Sequence, residues 1–399
     1  MYFPKEEYES RWSRVYDELE RRGLGAAVVW SRSGGTHERC GDVLYLTHYY
    51  SSRSGHVPDL DAFDWMGASF AAAILGDGEP PELVPDSPEY PRSLLATDRV
   101  TLPRSRNIIR EAARAIRDRG IGGKVAFVGD GLLPHRYARI LEEELPDVEL
   151  VPADDLVETV RLSKSPRELD CYREAGEIVS AALDAQMATA VRGGTQADVA
   201  AAGAAELIRR GGAFHMIPVG SGQRQDLDYF VGEPITGYSP AISLEPGDLV
   251  RTWIYGPVWQ GYWLDPGRTA VVGGRPTARQ RELISTANGI AQGMIDAIRP
   301  GVTVGEVTRL GDRLRSDAGS GEDATSAMFP IYGHGVGLFW EPPRLVSGAD
   351  QPERFHEGQT LGIEVFLSWS DVGSVGVEQN IIVGRDRNEV LTTTGLEWW

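Results

Sequence analysis

The sequence predicts an α/β domain over residues 1–160 and an α+β domain with internal pseudo-symmetry over residues 161–399. Three observations carry this. Before residue 160, short apolar runs alternate with amphipathic helical stretches, the pattern of strands connected by helices. Near residue 160 the composition changes, and ValArgLeuSerLysSerPro, ending at Pro166, reads as a boundary. Beyond it, residues 192–212 (RGGTQADVAAAGAAELIRRGG) and 299–319 (RPGVTVGEVTRLGDRLRSDAG) share a layout: glycine and threonine, then an amphipathic helix, then glycine. A helical pair followed by β-formers, occurring twice, suggests a pseudo-symmetric α+β domain, with two unrelated helical hairpins as the alternative.

Residues 6–22 read as a helix, because Trp12, Val15, Tyr16 and Leu19 recur at helical spacing and Gly23 and Gly25 stop it. Residues 26–30 read as a buried strand, and residues 43–46 and 68–75 as further strands. The polar and aromatic loop 49–65 between them is long enough to be expected functional or mobile. Helix 106–119, strand 125–128, helix 134–145 and strand 148–151 complete the domain and predict a largely parallel sheet. Gly129-Asp130-Gly131 echoes a dinucleotide-binding turn, but the third glycine is absent and Pro134 stands where the helix should open, so it reads as a plain turn. In the second domain, helices 167–190 and 277–298 precede the two similar segments, whose threonines, Thr195 and Thr303, are expected N-caps.

Charge narrows the function. The 399 residues carry 58 acidic and 40 basic side chains, a formal net charge of −18. Such a chain repels phosphate backbones and anionic membrane surfaces. No apolar run approaches the ~18–20 residues of a membrane span, and the charged N-terminal stretch has no apolar signal core. Cys40 and Cys171, far apart, form neither a disulfide framework nor a zinc-ribbon spacing, so a reduced, cytoplasmic setting is expected.

Among seven histidines, His334 sits in YGHGVGLFWEPP (332–343), where flanking glycines permit close backbone approach. Three segments place an acid among apolar β-formers: Asp265 in GYWLDPGRT (261–269), Glu364 in TLGIEVF (360–366) and Glu378 in VGVEQNII (375–382). A buried carboxylate is costly without a partner. Three acids and a histidine match the mixed N/O ligand set of a divalent metal, and a network of ion pairs with Arg268 matches the same pattern.

GDLV (247–250), GYWLDPGRT, GHGVGL (333–338), IEVF (363–366) and VGVEQNIIV (375–383) resemble, in order and spacing, the M24 superfamily of methionine aminopeptidase, aminopeptidase P, prolidase and creatinase. The resemblance covers roughly residues 160–399 and implies the pseudo-symmetric pita-bread fold, with residues 1–160 as a creatinase/prolidase-like N-terminal domain. It implies metal ligands at Asp265, His334, Glu364 and Glu378. The family's first ligand Asp falls on Trp253 or, with a one-residue shift, Ile254, neither an acid. That departure argues against a two-metal peptidase. It leaves one divalent metal (manganese, iron, cobalt or zinc) or a metal-free site as in the creatinase branch.

The resemblance also places Tyr229 or Asp228, and Trp340 or Glu341, where proline peptidases carry catalytic histidines, with His215 upstream of the first. Glu341 is a candidate general acid or base, or else a turn cap before Pro342-Pro343. Trp253, Tyr229 and Trp340, with Trp263 and Phe339, put aromatics where the family has polar groups. They would bind a compact cationic or zwitterionic substrate, or simply fill a vacated metal pocket. Arg53 in the long loop would grip a substrate carboxylate, or is an exposed loop arginine. A homodimer is implied.

The expected function is hydrolysis of a C–N bond, amide or amidine, in a small amino-acid-derived substrate. His334, Glu364 and Glu341 are the candidate proton-handling groups. The alternatives are an Xaa-Pro dipeptidase or aminopeptidase with one metal, a lyase acting on a sulfonium or ammonium zwitterion, and an inactive binding protein.

Overall fold

The computed structural model describes residues 2–32, 41–50, 70–86, 90–101, 104–105, 107–222, 236–319 and 330–399. The chain forms two compact units, Met1–Arg161 and Leu162–Trp399.

In the first unit the elements run α1 (Lys5–Arg21), β1 (Ala26–Arg32), α2 (Gly41–Thr47), β2 (Phe70–Gly76), β3 (Glu82–Val84), α3 (Ile108–Asp118), β4 (Gly123–Val128), α4 (His135–Glu144), β5 (Val148–Pro152) and α5 (Asp155–Arg161). The sheet order is β3-β2-β1-β4-β5. Val28, Trp30, Ile74, Val125 and Phe127 pack with Ile109, Ala112 and Ile116 of α3 into one core.

Two expectations are corrected here. The sheet is mixed rather than largely parallel: β1 runs parallel to β4, and β4 to β5, but β1/β2 and β2/β3 are antiparallel. The connections explain it. Helix α4 lies between β4 and β5, as a parallel crossover requires, whereas residues 77–81 leave room only for a hairpin between β2 and β3. Residues 43–46 are helical, not a strand. A four-residue apolar run has no period of its own, and tertiary partners decide it. The Val43 amide donates to Ser31 Oγ at 3.0 Å, and the Thr47 hydroxyl donates to the Val43 carbonyl one turn back.

The glycine turn after β4 is a turn, and the protein fills it itself. The backbone amides of Gly129, Asp130 and Gly131 donate to the Asp154 carboxylate at 2.6, 2.8 and 3.0 Å. That nest of amides is already occupied by an anion. Asp154→Ala is expected to destabilise the protein by ~1–3 kcal/mol, as loss of charge-assisted bonds does. Urea unfolding checks it, and an unchanged midpoint would contradict the assignment.

The second unit runs α6 (Pro166–Arg192), β6 (Gly194–Thr195), α7 (Gln196–Arg209), β7 (Val219–Ser221), β8 (Ser243–Leu244), β9 (Leu249–Trp253), β10 (Gly256–Trp259), β11 (Tyr262–Leu264), β12 (Gly267–Val271), α8 (Ala278–Ala297), α9 (Val304–Asp317), β13 (Ile331–Val336), β14 (Trp340–Val346), β15 (Thr360–Trp369), β16 (Gly373–Ile382) and β17 (Glu389–Val390). Thr195 and Thr303 are N-caps as expected, each in a capping box with Asp198 or Glu306, and Ser165 and Thr277 cap α6 and α8 in the same way. Each helical pair leads into strands of one sheet, ordered β14-β13-β15-β16-β12-β9-β7, with β17 beside β16. This is the α+β, pseudo-symmetric architecture the repeat implied.

Strand alternation then separates core from chemistry. Ile363, Val365 and Val377 join the core with Leu283, Ile290 and Met294 of α8. Glu364 and Glu378, the residues between or beside them, therefore face the other way. Among the described residues, no helix is long and apolar enough to cross a membrane.

Candidate metal centre

Pairing register assembles the site. Glu364 lies opposite Glu378 across β15 and β16. His334 of β13 lies opposite Gly362 of β15. Asp265 enters just before β12, whose Gly267 pairs with Glu378. Gly362 keeps the space between them open. A Cβ there would lie 2.3 Å from Glu378 Oε1 and 3.0 Å from Asp265 Oδ1.

Asp265, His334, Glu364 and Glu378 are all buried, at most 3% exposed. His334 Nε2 lies 3.3 Å from Asp265 Oδ2. His334 Nδ1 is 3.0 Å from the Gly335 carbonyl, which only accepts, so Nδ1 carries the hydrogen and Nε2 faces the acids. Asp265 Oδ1 accepts from the Asn380 amide at 2.7 Å, and Oδ2 accepts from the Trp340 indole at 2.9 Å. Glu378 Oε2 accepts from the Trp253 indole at 2.8 Å. Glu364 Oε1 and Glu378 Oε1 are buried without a hydrogen-bond partner.

Burial pushes the carboxyls of Glu364 and Glu378 well above the usual carboxylate range, and the negative charge of Asp265 adds to the effect. The Trp253 indole opposes it at Glu378. Arg268 does not neutralise the cluster. Its guanidinium, lowered to about 9 by burial, donates to the carbonyls of Gly267, Glu378, Thr394 and Gly395 and to Gln379 Oε1. Arg268 therefore acts on Glu378 only through its charge, without a hydrogen bond to any of the four acidic or imidazole side chains among the bonds it makes.

The donor set fits one divalent cation. One ligand atom each from Asp265, His334 and Glu378 lies within 4.8 Å of the others, and the orphaned Glu364 oxygen belongs to the facing strand residue. Mixed imidazole and carboxylate donors suit manganese, iron, cobalt or zinc. The first-ligand position offers no donor of that kind, because Trp253 there is fully buried and stacked on Phe366 at 5.3 Å.

Other candidates fall differently. Trp340 is at the cluster, its ring 4.8 Å from that of His334 and stacked on Phe339 at 5.8 Å. Trp253 is at the cluster too, but its enclosed ring offers no face to a substrate, which favours the filling role over cation binding. Glu341 is not brought there. Its carboxylate pairs with Lys164 Nζ at 2.6 Å, both side chains being at most 3% exposed. Successive residues of a strand face opposite ways, and Trp340 takes the cluster side. Tyr229, Asp228 and Arg53 lie outside the described residues. His215 approaches Trp263, ring centroids 6.2 Å apart. Asn380 escaped the sequence reading, though its position two residues after Glu378 on one strand face was a usable signal.

Residues 11–163 match the creatinase/prolidase N-terminal domain, and residues 170–385 match metallopeptidase family M24. The chain is similar to an Xaa-Pro dipeptidase of Pyrococcus horikoshii, 28% identical over 270 residues, covering 66% of this chain and 72% of that protein. It is similar also to the probable dipeptidase PepE of Mycobacterium tuberculosis, 29% identical over 238 residues, covering 59% and 60%. Its fold resembles that of the Xaa-Pro dipeptidase from Bacillus anthracis, with a TM-score of 0.76, 21% identity and coverage of 97% and 98%. The prolidase from Pyrococcus horikoshii superposes with a TM-score of 0.74 at 21% identity, covering 97% and 99%. Because the M24 match spans more than half of the sequence and includes all four buried ligand candidates, the chain belongs to metallopeptidase family M24 and is a hydrolase.

Proposed function

We propose that this M24 hydrolase cleaves the C–N bond of a small amide, amidine or dipeptide, using one divalent cation held by Asp265, His334, Glu378 and Glu364. One observation carries the reading. Asp265 Oδ2 and His334 Nε2 face each other at 3.3 Å beside two carboxyls with orphaned oxygens, an arrangement that calls for positive charge between them.

A divalent cation, when bound, supplies an acidified water and polarises the scissile carbonyl. The protein does the rest. His334 is held in one tautomer by the Gly335 carbonyl. Asn380 and Trp340 hold Asp265 by a hydrogen bond to each oxygen. Glu364, buried opposite Glu378, is the carboxyl placed to receive and return the proton of the attacking water. Trp340, Phe339 and the half-buried Tyr255 form an aromatic wall beside the cluster, with ring centroids 5.8 and 6.3 Å from Trp340. Such faces attract a cationic group by ~0.5–2 kcal/mol and pack equally against a compact apolar ring.

The names of the relatives favour Xaa-Pro dipeptides as a second substrate class. Elemental mass spectrometry after manganese loading tests the cation, with Glu364→Ala as control. About one ion per chain, reduced in the variant, is expected, and manganese should raise turnover in a panel of Xaa-Pro dipeptides and small amides. No ion and no hydrolysis across the panel would overturn the proposal. A homodimer is part of it, checked by light scattering.

A further inference from the structure

Trp253, Gly267, Glu378 and Glu364 form one lateral row across β9, β12, β16 and β15. Neighbouring strands lie ~4.8 Å apart, so Trp253 and Glu378, two strands apart, stand ~9–10 Å from each other at the backbone. Any side chain at position 267 would stand between them. Gly267 has none, and a Cβ there would fall 2.0 Å from the Trp253 ring. The indole lies across this gap and donates to Glu378 Oε2 at 2.8 Å. Gly376, on the same strand face as Glu378, makes the same accommodation, since its Cβ would fall 2.4 Å from the ring. Phe366, opposite Gly376 in register, closes the far side. Two glycines and a stacked phenylalanine thus form a fitted slot for one indole.

We infer that Trp253 is a positioning residue that makes Glu378 a one-oxygen ligand and restricts the cluster to a single divalent cation. The inference rests on the one-cation hydrolase proposed above. A carboxylate bridging two cations needs both oxygens and space beyond each. Here the Trp253 ring fills the space beyond Oε2, to which its N–H donates, so a second cation has no room on that side. Oε1 is directed at the gap beside Gly362, where Asp265 Oδ1 also points.

The test measures manganese bound per chain and its dissociation constant in the full-length protein. It compares wild type with Trp253→Phe, which keeps an aromatic ring in the slot but not the N–H, and Trp253→Asp, which empties the slot and adds a carboxylate beside Glu378. Wild type is expected to hold one ion. Trp253→Phe should hold no more than one, bound ~10–100-fold more weakly, the usual effect of losing a group that orients a ligand. Trp253→Asp should gain one ion over wild type. Two ions in the wild type would overturn the inference while leaving the hydrolase reading intact. So would an unchanged count in a Trp253→Asp protein with native circular dichroism. If Trp253→Asp does not fold, Trp253→Phe decides, and an unchanged dissociation constant overturns the inference. If wild type binds no ion, the one-cation part of the proposed function fails by itself. An ion gained by Trp253→Asp then still supports Trp253 as the residue that excludes a cation beside Glu378, and none gained overturns the inference.

Discussion

Asp265→Asn is expected to eliminate the bound cation and to lower turnover by ~10²–10³-fold, the scale on which loss of a preorganised electrostatic group acts. The substitution keeps the shape and removes the charge. It also introduces a donor where donors already converge. The Trp340 indole and the Asn380 amide each give a hydrogen to one Asp265 oxygen. An asparagine must turn its own NH2 toward one of them. The effect on the metal-free protein runs the other way. Asp265 adds to the burial that holds the Glu364 and Glu378 carboxyls high. Without its charge both move back toward the ordinary carboxylate range. In the metal-free variant this relief opposes the cost of the opposed donors, so its melting temperature should stay near that of the metal-free parent, while the rise in melting temperature on adding manganese disappears. Full manganese content in the variant would remove Asp265 from the ligand set.

Lys164→Met is expected to destabilise the protein by ~3–5 kcal/mol, because it leaves the Glu341 carboxylate buried without its cation. The pair is enclosed, with side-chain exposures of 3% and 1%. Adding Glu341→Gln to Lys164→Met should recover most of the loss, since no buried charge is then stranded. Urea unfolding of the single and double variants measures the coupling. The double variant should also keep its manganese. A double variant no more stable than Lys164→Met would refute the pairing. Loss of turnover in Glu341→Gln, with manganese content and stability intact, would return Glu341 to a catalytic role.

The sequence alone determined what is local. Apolar residues flanking Glu364 and Glu378 at strand spacing marked these acids as buried, and Thr195 and Thr303 announced the helices they cap. Each of those signals is spread over a few consecutive residues, where backbone periodicity and capping chemistry act directly. Asp265 and His334 were legible for the same reason, from short motifs with a fixed order. The tertiary structure alone decided which distant groups meet. Glu341 turns from the cluster to Lys164, 177 residues away, and Trp253 reaches Glu378, 125 residues away, over a glycine on a third strand. Residues 43–46 became helical through Ser31, and β2 turned back antiparallel between β1 and β3. The physical reason is common to all four. Strand register and side-chain facing across a sheet are set by the packing of whole elements, and no window of neighbouring residues contains that information.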